Sequence, residues 1–145
     1  MTQQNQGHYA KKHTGKEILI EENFREHLLA EAKEGTITCV NALWIAEESG
    51  KGYQQTGIYL DLLEIRITEC QLGLFGFMPE KRIVKKTEII DPEMQQLIEK
   101  ERKNGGVSCA FLLKIAGQNS ISPMTLSGIC ETLGVKIKPC QLGAF

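Results

Sequence analysis

Apolar residues recur at helical spacing from Glu21 to Glu34, where the chain first shows a folded pattern. They lie on one side of a helix with 3.6 residues per turn, and charged residues fill the other side. The apolar positions are Phe24, Leu28, Leu29 and Ala32. Gly35 follows and is suited to end the helix. The pattern therefore predicts an amphipathic helix packed on a core.

The same kind of pattern returns from Pro92 to Lys103. Its apolar side is formed by Met94, Leu97 and Ile98. Asp91 and Pro92 are typical of an N-cap followed by a first-turn proline. The pair Gly105-Gly106 closes the segment, so a second amphipathic helix is predicted here.

This return belongs to an internal repeat with an offset of 70 residues. The clearest match is Cys70-Gln71-Leu72-Gly73-Leu74-Phe75, which recurs as Cys140-Gln141-Leu142-Gly143-Ala144-Phe145. Gly35 and Cys39 recur at the same offset as Gly105 and Cys109. A repeat of this length indicates one small fold used twice. The predicted division is a polar basic tail at 1–20, a first lobe at 21–78, a linker at 79–91 and a second lobe at 92–145.

Each repeat predicts two more helices and a short strand. The second helix is capped by a hydroxyl residue, Thr38 or Ser108. The predicted elements are helices at 38–48, 108–118, 53–63 and 123–133, and strands at 65–67 and 135–137. Ser122 before Pro123 marks the start of the last helix as a cap and a first-turn proline. The linker segment Arg82 to Ile90 is predicted as a further strand.

This order of elements resembles helix-turn-helix and winged-helix domains. Ala46 and Gly50 stand at the spacing of the small residue and the turn glycine in those families. The second repeat keeps Ala116 and replaces the glycine by Ser120. The apolar residues that would lock its third helix in place are Ile121, Leu126 and Ile129. The fold predicted is mainly α with short β, as two pseudo-symmetric helix-turn-helix or winged-helix-like lobes.

The composition and charge of the chain bear on which classes of function to expect. The 145 residues are 41% hydrophobic and 24% charged, with a formal net charge of -1, so no global field steers the chain toward DNA. No apolar run approaches the roughly 18 residues of a membrane span, so no membrane partner is expected. Because Met1 to Gly7 is polar and lacks a signal-peptide core, the expected location is cytoplasmic. No nucleophile and base, and no phosphate-binding loop, form a recognisable pattern, so the protein is not expected to be an enzyme.

The resemblance implies a set of DNA-binding residues. A third helix in the major groove normally presents Arg, Lys, Asn or Gln to base edges. Neither third helix here carries a basic residue, so phosphate contacts must come from neighbouring lysines. The candidates for the DNA interface are Gln54, Gln55, Tyr59 and Thr125 on the helices, and Lys85, Lys86, Lys136 and Lys138 beside them.

The repeated cysteines suggest a second chemistry. Cys39 and Cys109 begin the second helices, where the helix dipole favours thiolate, and Cys70 and Cys140 open the repeated motif. Three interpretations stay open: packing as small apolar residues, a reversible disulfide within each lobe, or a zinc or iron–sulfur site made by all four. Cys130 has no cysteine counterpart and is predicted to lie in the core.

The leading hypothesis is a DNA-binding or transcription-regulatory protein. The first alternative is a metal-binding or thiol-redox protein that uses the four repeated cysteines. The second alternative is a degenerate winged-helix module that binds a protein partner or forms a homodimer. Trp44 is matched by Lys114, so it is expected to face outside the shared core. An exposed apolar patch near Trp44 or Met124 would favour this last hypothesis.

Overall fold

A computed structural model describes residues 21–88, 90–102 and 105–144. The predicted tail at 1–20 lies outside the described residues. Six helices are present in the described part: α1 (Glu22–Glu31), α2 (Cys39–Ser49), α3 (Tyr53–Leu62), α4 (Pro92–Glu101), α5 (Cys109–Asn119) and α6 (Pro123–Leu133). The strands there are β1 (Thr36–Thr38), β2 (Arg66–Thr68), β3 (Gly106–Val107) and β4 (Lys136–Ile137). The prediction of a mainly helical fold with short strands is confirmed.

The two repeats contain the same elements in the same order, helix, strand, helix, helix, strand. In the first repeat, β1 pairs with β2 in parallel, with Thr36 opposite Arg66 and Thr38 opposite Thr68. In the second repeat, β3 pairs with β4 in parallel, with Val107 opposite Ile137. Parallel strands need a long crossover connection, and the second and third helices of each repeat supply it.

Three of the predicted helix caps are formed. The Thr38 side chain accepts a hydrogen bond from Asn41 N at 3.2 Å, and Ser108 accepts one from Phe111 N at 3.1 Å. Asp91 Oδ1 accepts a hydrogen bond from Glu93 N at 2.8 Å. These side chains satisfy amides that have no partner within the helix. Ser122 does occupy the N-cap position of α6, but its side chain makes no capping hydrogen bond.

The turn between the second and third helices has three residues in both repeats. Gly50 ends α2 in the left-handed conformation at φ 69°. Ser120 adopts the same conformation at φ 52°, so the backbone turn is preserved where glycine is replaced. Ala46 and Ala116 are buried beside this turn, as the resemblance implied.

The chain divides into two compact units whose limits differ from those of the repeats. The first unit comprises the chain up to Cys70 together with the residues from Gln141 onward, and the second comprises Gln71–Cys140. Apart from its cysteine, the repeated motif after β2 therefore belongs to the second unit, and the one after β4, again apart from its cysteine, belongs to the first. The strand predicted at Arg82 to Ile90 is not formed in its described part, which has no regular secondary structure.

Each unit has a core from its helices and strands. Fully buried side chains in the first unit include Leu28, Ile45, Leu60 and Ile67. Those in the second unit include Leu72, Met94, Ile98, Leu112, Leu126 and Ile129. Leu29 and Leu97, which were predicted to face inward, are partly exposed at 42% and 37%. One apolar residue per turn is enough to hold α1 and α4 on their cores, because these helices lie at the surface.

Candidate functional site

The four lysines predicted to contact phosphate all lie at the surface of the second unit. Lys85 and Lys86 stand in the segment before α4, and Lys136 and Lys138 stand on or just after β4. All four are exposed, and none forms an ion pair with another described residue. Their ammonium groups are therefore available to an anionic ligand.

Charge is divided unevenly along the chain. Residues 71–140 contain ten Lys and Arg against seven Asp and Glu, whereas residues 1–70 contain seven against eleven. The overall charge of -1 hides this difference. Local charge, rather than the total, determines which surface attracts an anion at short range. The second unit is thus the part of the molecule suited to a polyanion.

The segment that carries Lys85 and Lys86 is held against α6. The Thr132 hydroxyl accepts a hydrogen bond from Thr87 N at 2.9 Å and donates one to Thr87 O at 3.0 Å. Arg82 forms an ion pair with Glu131. The carbonyl oxygen of Lys85 lies only 2.9 Å from the position that a Cβ at Gly128 would occupy. The chain itself therefore covers this side of α6, and Lys85 and Lys86 are presented beside the helix.

The residues predicted to meet base edges are only partly exposed. Gln54 and Gln55 on α3 and Thr125 on α6 lie at the surface. Tyr59 does not: it is 3% exposed, and its ring lies 5.3 Å from that of Phe24 between centroids. Gln55 Nε2 donates a hydrogen bond to the Tyr59 hydroxyl at 3.1 Å. Tyr59 is corrected from an interface residue to a core residue, because its aromatic ring fills the space between α1 and α3.

The middle of α3 is also covered. A Cβ at Gly57 would overlap the backbone carbonyl of Leu142, which belongs to the same compact unit. Near the start of α3, Tyr53 donates a hydrogen bond to Glu47 Oε1 at 2.6 Å, and this bond raises the pKa of Tyr53. The carboxylates of Glu47 and Glu48 at this end of the helix would repel phosphate. The surface of α3 is therefore not well suited to contact base edges in DNA.

A cleft in the second unit was not anticipated from the sequence. It has a volume of about 480 Å³ and lies over the start of α5. Its lining residues are Glu101, Gly106, Val107, Ser108, Ala110, Phe111, Lys114 and Lys138. The Ser108 hydroxyl is already used as a helix cap, so the side-chain charges available in the cleft come from the two lysines and Glu101. The feature of the sequence that could have indicated this cleft is Lys114, a charged residue that interrupts the apolar pattern of α5.

The backbone brings the two repeated cysteines of each repeat to one end of its strand pair. Cys39 follows Thr38, and Cys70 comes two residues after Thr68, the register partner of Thr38. Cys109 N donates a hydrogen bond to the carbonyl of Pro139, the residue before Cys140. All four are buried. This placement agrees with packing as small apolar residues and leaves the disulfide hypothesis untested.

No metal site is assembled in the part of the chain that the structure describes. No three His, Cys, Asp or Glu side chains there come together in a way that could hold a metal ion. The zinc or iron–sulfur hypothesis for Cys39, Cys70, Cys109 and Cys140 therefore remains a prediction without a ligand cluster to support it. Cys130 lies in the core at 1% exposure, as predicted, and burial raises its pKa to about 11.

Comparison of the chain with protein-family models, with curated proteins and with solved structures finds no match. Among the described residues, no helix has the length and apolar character needed to cross a membrane. Function is therefore inferred from the surfaces of the molecule alone.

Proposed function

We propose that this protein is a DNA-binding regulatory protein that holds the phosphate backbone through its second unit. The observation that supports the proposal best is the set of four exposed lysines without ion-pair partners among the described residues. Each lysine that reaches a phosphate releases condensed counterions, which is the main source of affinity in non-specific binding. The positive balance of residues 71–140 adds to that attraction.

The proposed contacts are mainly to phosphate rather than to bases. Tyr59 lies in the core, Gly57 is covered by Leu142, and Gly128 is covered by Lys85. Gln54, Gln55 and Thr125 are the residues left on the third helices to reach a base edge. Phosphate contacts fix position without reading sequence. We therefore expect this protein to bind many DNA sequences with similar affinity.

The metal-binding or thiol-redox alternative has less support. Its four cysteines are buried, and the described residues contain no cluster of three ligands. An exchange-reactive thiol needs access to its partner and a stabilised thiolate.

The proposal predicts a steep dependence of DNA affinity on salt that comes from the four lysines. The variant with Lys85, Lys86, Lys136 and Lys138 all replaced by Ala should bind every duplex more weakly. Its plot of log affinity against log salt should be flatter by roughly 0.9 for each phosphate that the variant no longer neutralises. Fluorescence anisotropy with a labelled duplex, measured from about 50 to 200 mM salt, gives both quantities.

Two control variants separate this mechanism from a general effect of charge. Lys33→Ala combined with Lys100→Ala removes two exposed lysines outside the proposed set and should change the salt slope much less than Lys85→Ala combined with Lys86→Ala. Gln54→Ala combined with Gln55→Ala should leave affinity nearly unchanged. The proposal is wrong if the parent protein does not bind DNA at low salt, or if the fourfold variant keeps the parent's slope.

A further inference from the structure

The exposed face of α2 carries two large apolar side chains that nothing in the proposed DNA contact uses. Val40 is 54% exposed and Trp44 is 50% exposed. They are four residues apart, so they lie next to each other on the helix surface. The ring of His27 on α1 approaches Trp44 edge-on, with 6.4 Å between ring centroids. Tryptophan and other apolar side chains are enriched at the centre of protein–protein interfaces, so this pair is suited to such a position.

Acidic side chains border this apolar face. Glu47 and Glu48 come one helical turn after Trp44 and are exposed. Glu48 forms no ion pair with another described residue. The first unit also belongs to the acidic part of the chain, with eleven acidic and seven basic residues in 1–70. The face therefore suits a partner that has an apolar pocket edged by basic groups.

The cleft of the second unit has that chemistry. Ala110 and Lys114 occupy on α5 the positions that Val40 and Trp44 occupy on α2, at the repeat offset of 70. Val107, Ala110 and Phe111 give the cleft apolar walls, and Lys114 and Lys138 supply positive charge. Its volume of about 480 Å³ lies within the range of pockets that accept a compact aromatic group.

We propose that Trp44 of one copy of this chain docks in the cleft of a second copy. The indole ring would lie against Phe111, with the ammonium groups of Lys114 and Lys138 near the ring face and near Glu47 and Glu48. Cation–π contact and charge complementarity both favour this pairing over a pairing of two like faces. Because the two surfaces that meet are different, the contact is heterologous. Every copy carries both surfaces, the Trp44 face on α2 and the cleft on α5.

Trp44 is the only tryptophan of the chain, so its fluorescence reports on this contact directly. As protein concentration rises in the absence of DNA, its emission should shift to shorter wavelength while sedimentation velocity shows species heavier than the 16.2 kDa monomer. Trp44→Ala, followed by sedimentation, should weaken association at least about 30-fold, as expected for an interface hot spot. Lys114→Glu should weaken it similarly and keep the emission at long wavelength.

Two controls make the test specific. Met78 is 76% exposed and lies on neither surface, so Met78→Ala should associate like the parent protein. Glu48→Lys and Lys114→Glu should each associate poorly alone, and an equimolar mixture should recover heavier species, since the unchanged α2 face of the Lys114→Glu copy can then dock in the unchanged cleft of the Glu48→Lys copy. Circular dichroism melting confirms that each variant is folded. A parent protein that stays monomeric at every concentration overturns the proposal. So does a Trp44→Ala variant that associates normally, or a mixture that recovers nothing.

Discussion

Ser127 places a hydroxyl in the fully buried middle of α6, at the position where the first repeat has Gly57. Its Oγ has no hydrogen-bond partner among the described residues. A buried hydroxyl without a partner loses its hydration without compensation. Ser127→Ala should therefore raise the free energy of unfolding by about 1 kcal/mol, measured by urea denaturation.

The matched control is Ser49→Ala on α2. Ser49 Oγ donates a hydrogen bond to the Ile45 carbonyl at 2.7 Å, so the same substitution removes a satisfied group at a helix end. Its effect should be within about 0.5 kcal/mol. A loss of stability in Ser127→Ala would mean that the hydroxyl does have a partner in solution.

Cys130 gives the second unit a dependence of stability on alkaline pH. Burial first, and then the charge of Glu131, raise the pKa of its thiol from 9.0 to about 11. The folded state therefore holds this proton more tightly than the unfolded state does. The stabilisation is complete below pH 9 and is lost as pH rises toward 11. Cys130→Ala should flatten the fall of stability across this window, which denaturation at a series of pH values can measure. An equal slope in the parent and the variant would contradict the assignment.

The core role of Cys130 could be predicted from the sequence, but that of Tyr59 could not. Cys130 stands where the first repeat has Leu60, and it comes four residues after Leu126, on the same side of the helix. The third helix of the first repeat instead buries Thr56, Gly57 and Asp61 along with Tyr59, so its inner and outer sides do not differ in polarity. Burial there depends on a chain segment distant in sequence, which local periodicity does not reveal.

At the scale of elements, the packing of α3 depends on the absence of a side chain at Gly57. A Cβ there would overlap the carbonyl of Leu142, and that atom is backbone, which moves only if the whole segment moves. Gly57→Ala should therefore lower the free energy of unfolding by more than about 1 kcal/mol, although Ala is the better helix former.

Gly117 on α5 is the control for this substitution. Nothing lies within 4 Å of a Cβ built at Gly117, and its helix is otherwise regular. Gly117→Ala should stabilise the protein by roughly 0.5–1 kcal/mol through helix propensity alone. Thermal melting of the two variants should thus give shifts of opposite sign. A shift to higher temperature in both would show that the segment after β4 does not pack on α3.

Helix starts were more predictable than the chain segments that cover the helices. Thr38, Ser108 and Asp91 cap their helices as expected, because a capping side chain and its target amide lie within three residues of each other. The segment that covers α6 was expected to be a strand. It is held by the Thr87–Thr132 and Arg82–Glu131 contacts, whose partners lie 45 and 49 residues apart. No local pattern encodes such a pairing.

At the scale of the whole molecule, the limits of the two compact units do not follow those of the repeats. The two motifs, Cys70 to Phe75 and Cys140 to Phe145, are nearly identical, and they follow equivalent strands. The third helices that could receive them are equivalent as well. The sequence therefore cannot distinguish a motif that packs on the third helix of its own repeat from one that packs on the third helix of the other repeat. In the folded chain, Gln71 onward belongs to the second unit and Gln141 onward to the first.

This assignment predicts that a substitution in one repeat weakens the unit built mainly from the other. Leu142 is 2% exposed and belongs to the unit of α3, whereas Leu72 is fully buried and belongs to the unit of α6. Leu→Ala at such a position costs about 2–5 kcal/mol, since it leaves a cavity. In Leu142→Ala, hydrogen exchange at the amides of α3 should accelerate more than exchange at α6. In Leu72→Ala, the order should reverse, because the motif lies close to α6 at the next residue: a Cβ built at Gly73 would be 3.3 Å from the Met124 side chain.

The two variants are controls for each other, because they make the same change at equivalent positions of the same motif. General destabilisation would accelerate exchange in both units and in both variants alike. Packing of each motif within its own repeat would give the opposite result, with Leu142→Ala acting on α6 and Leu72→Ala on α3. Only the crossed pattern agrees with two units in which the motif of one repeat packs on the third helix of the other repeat.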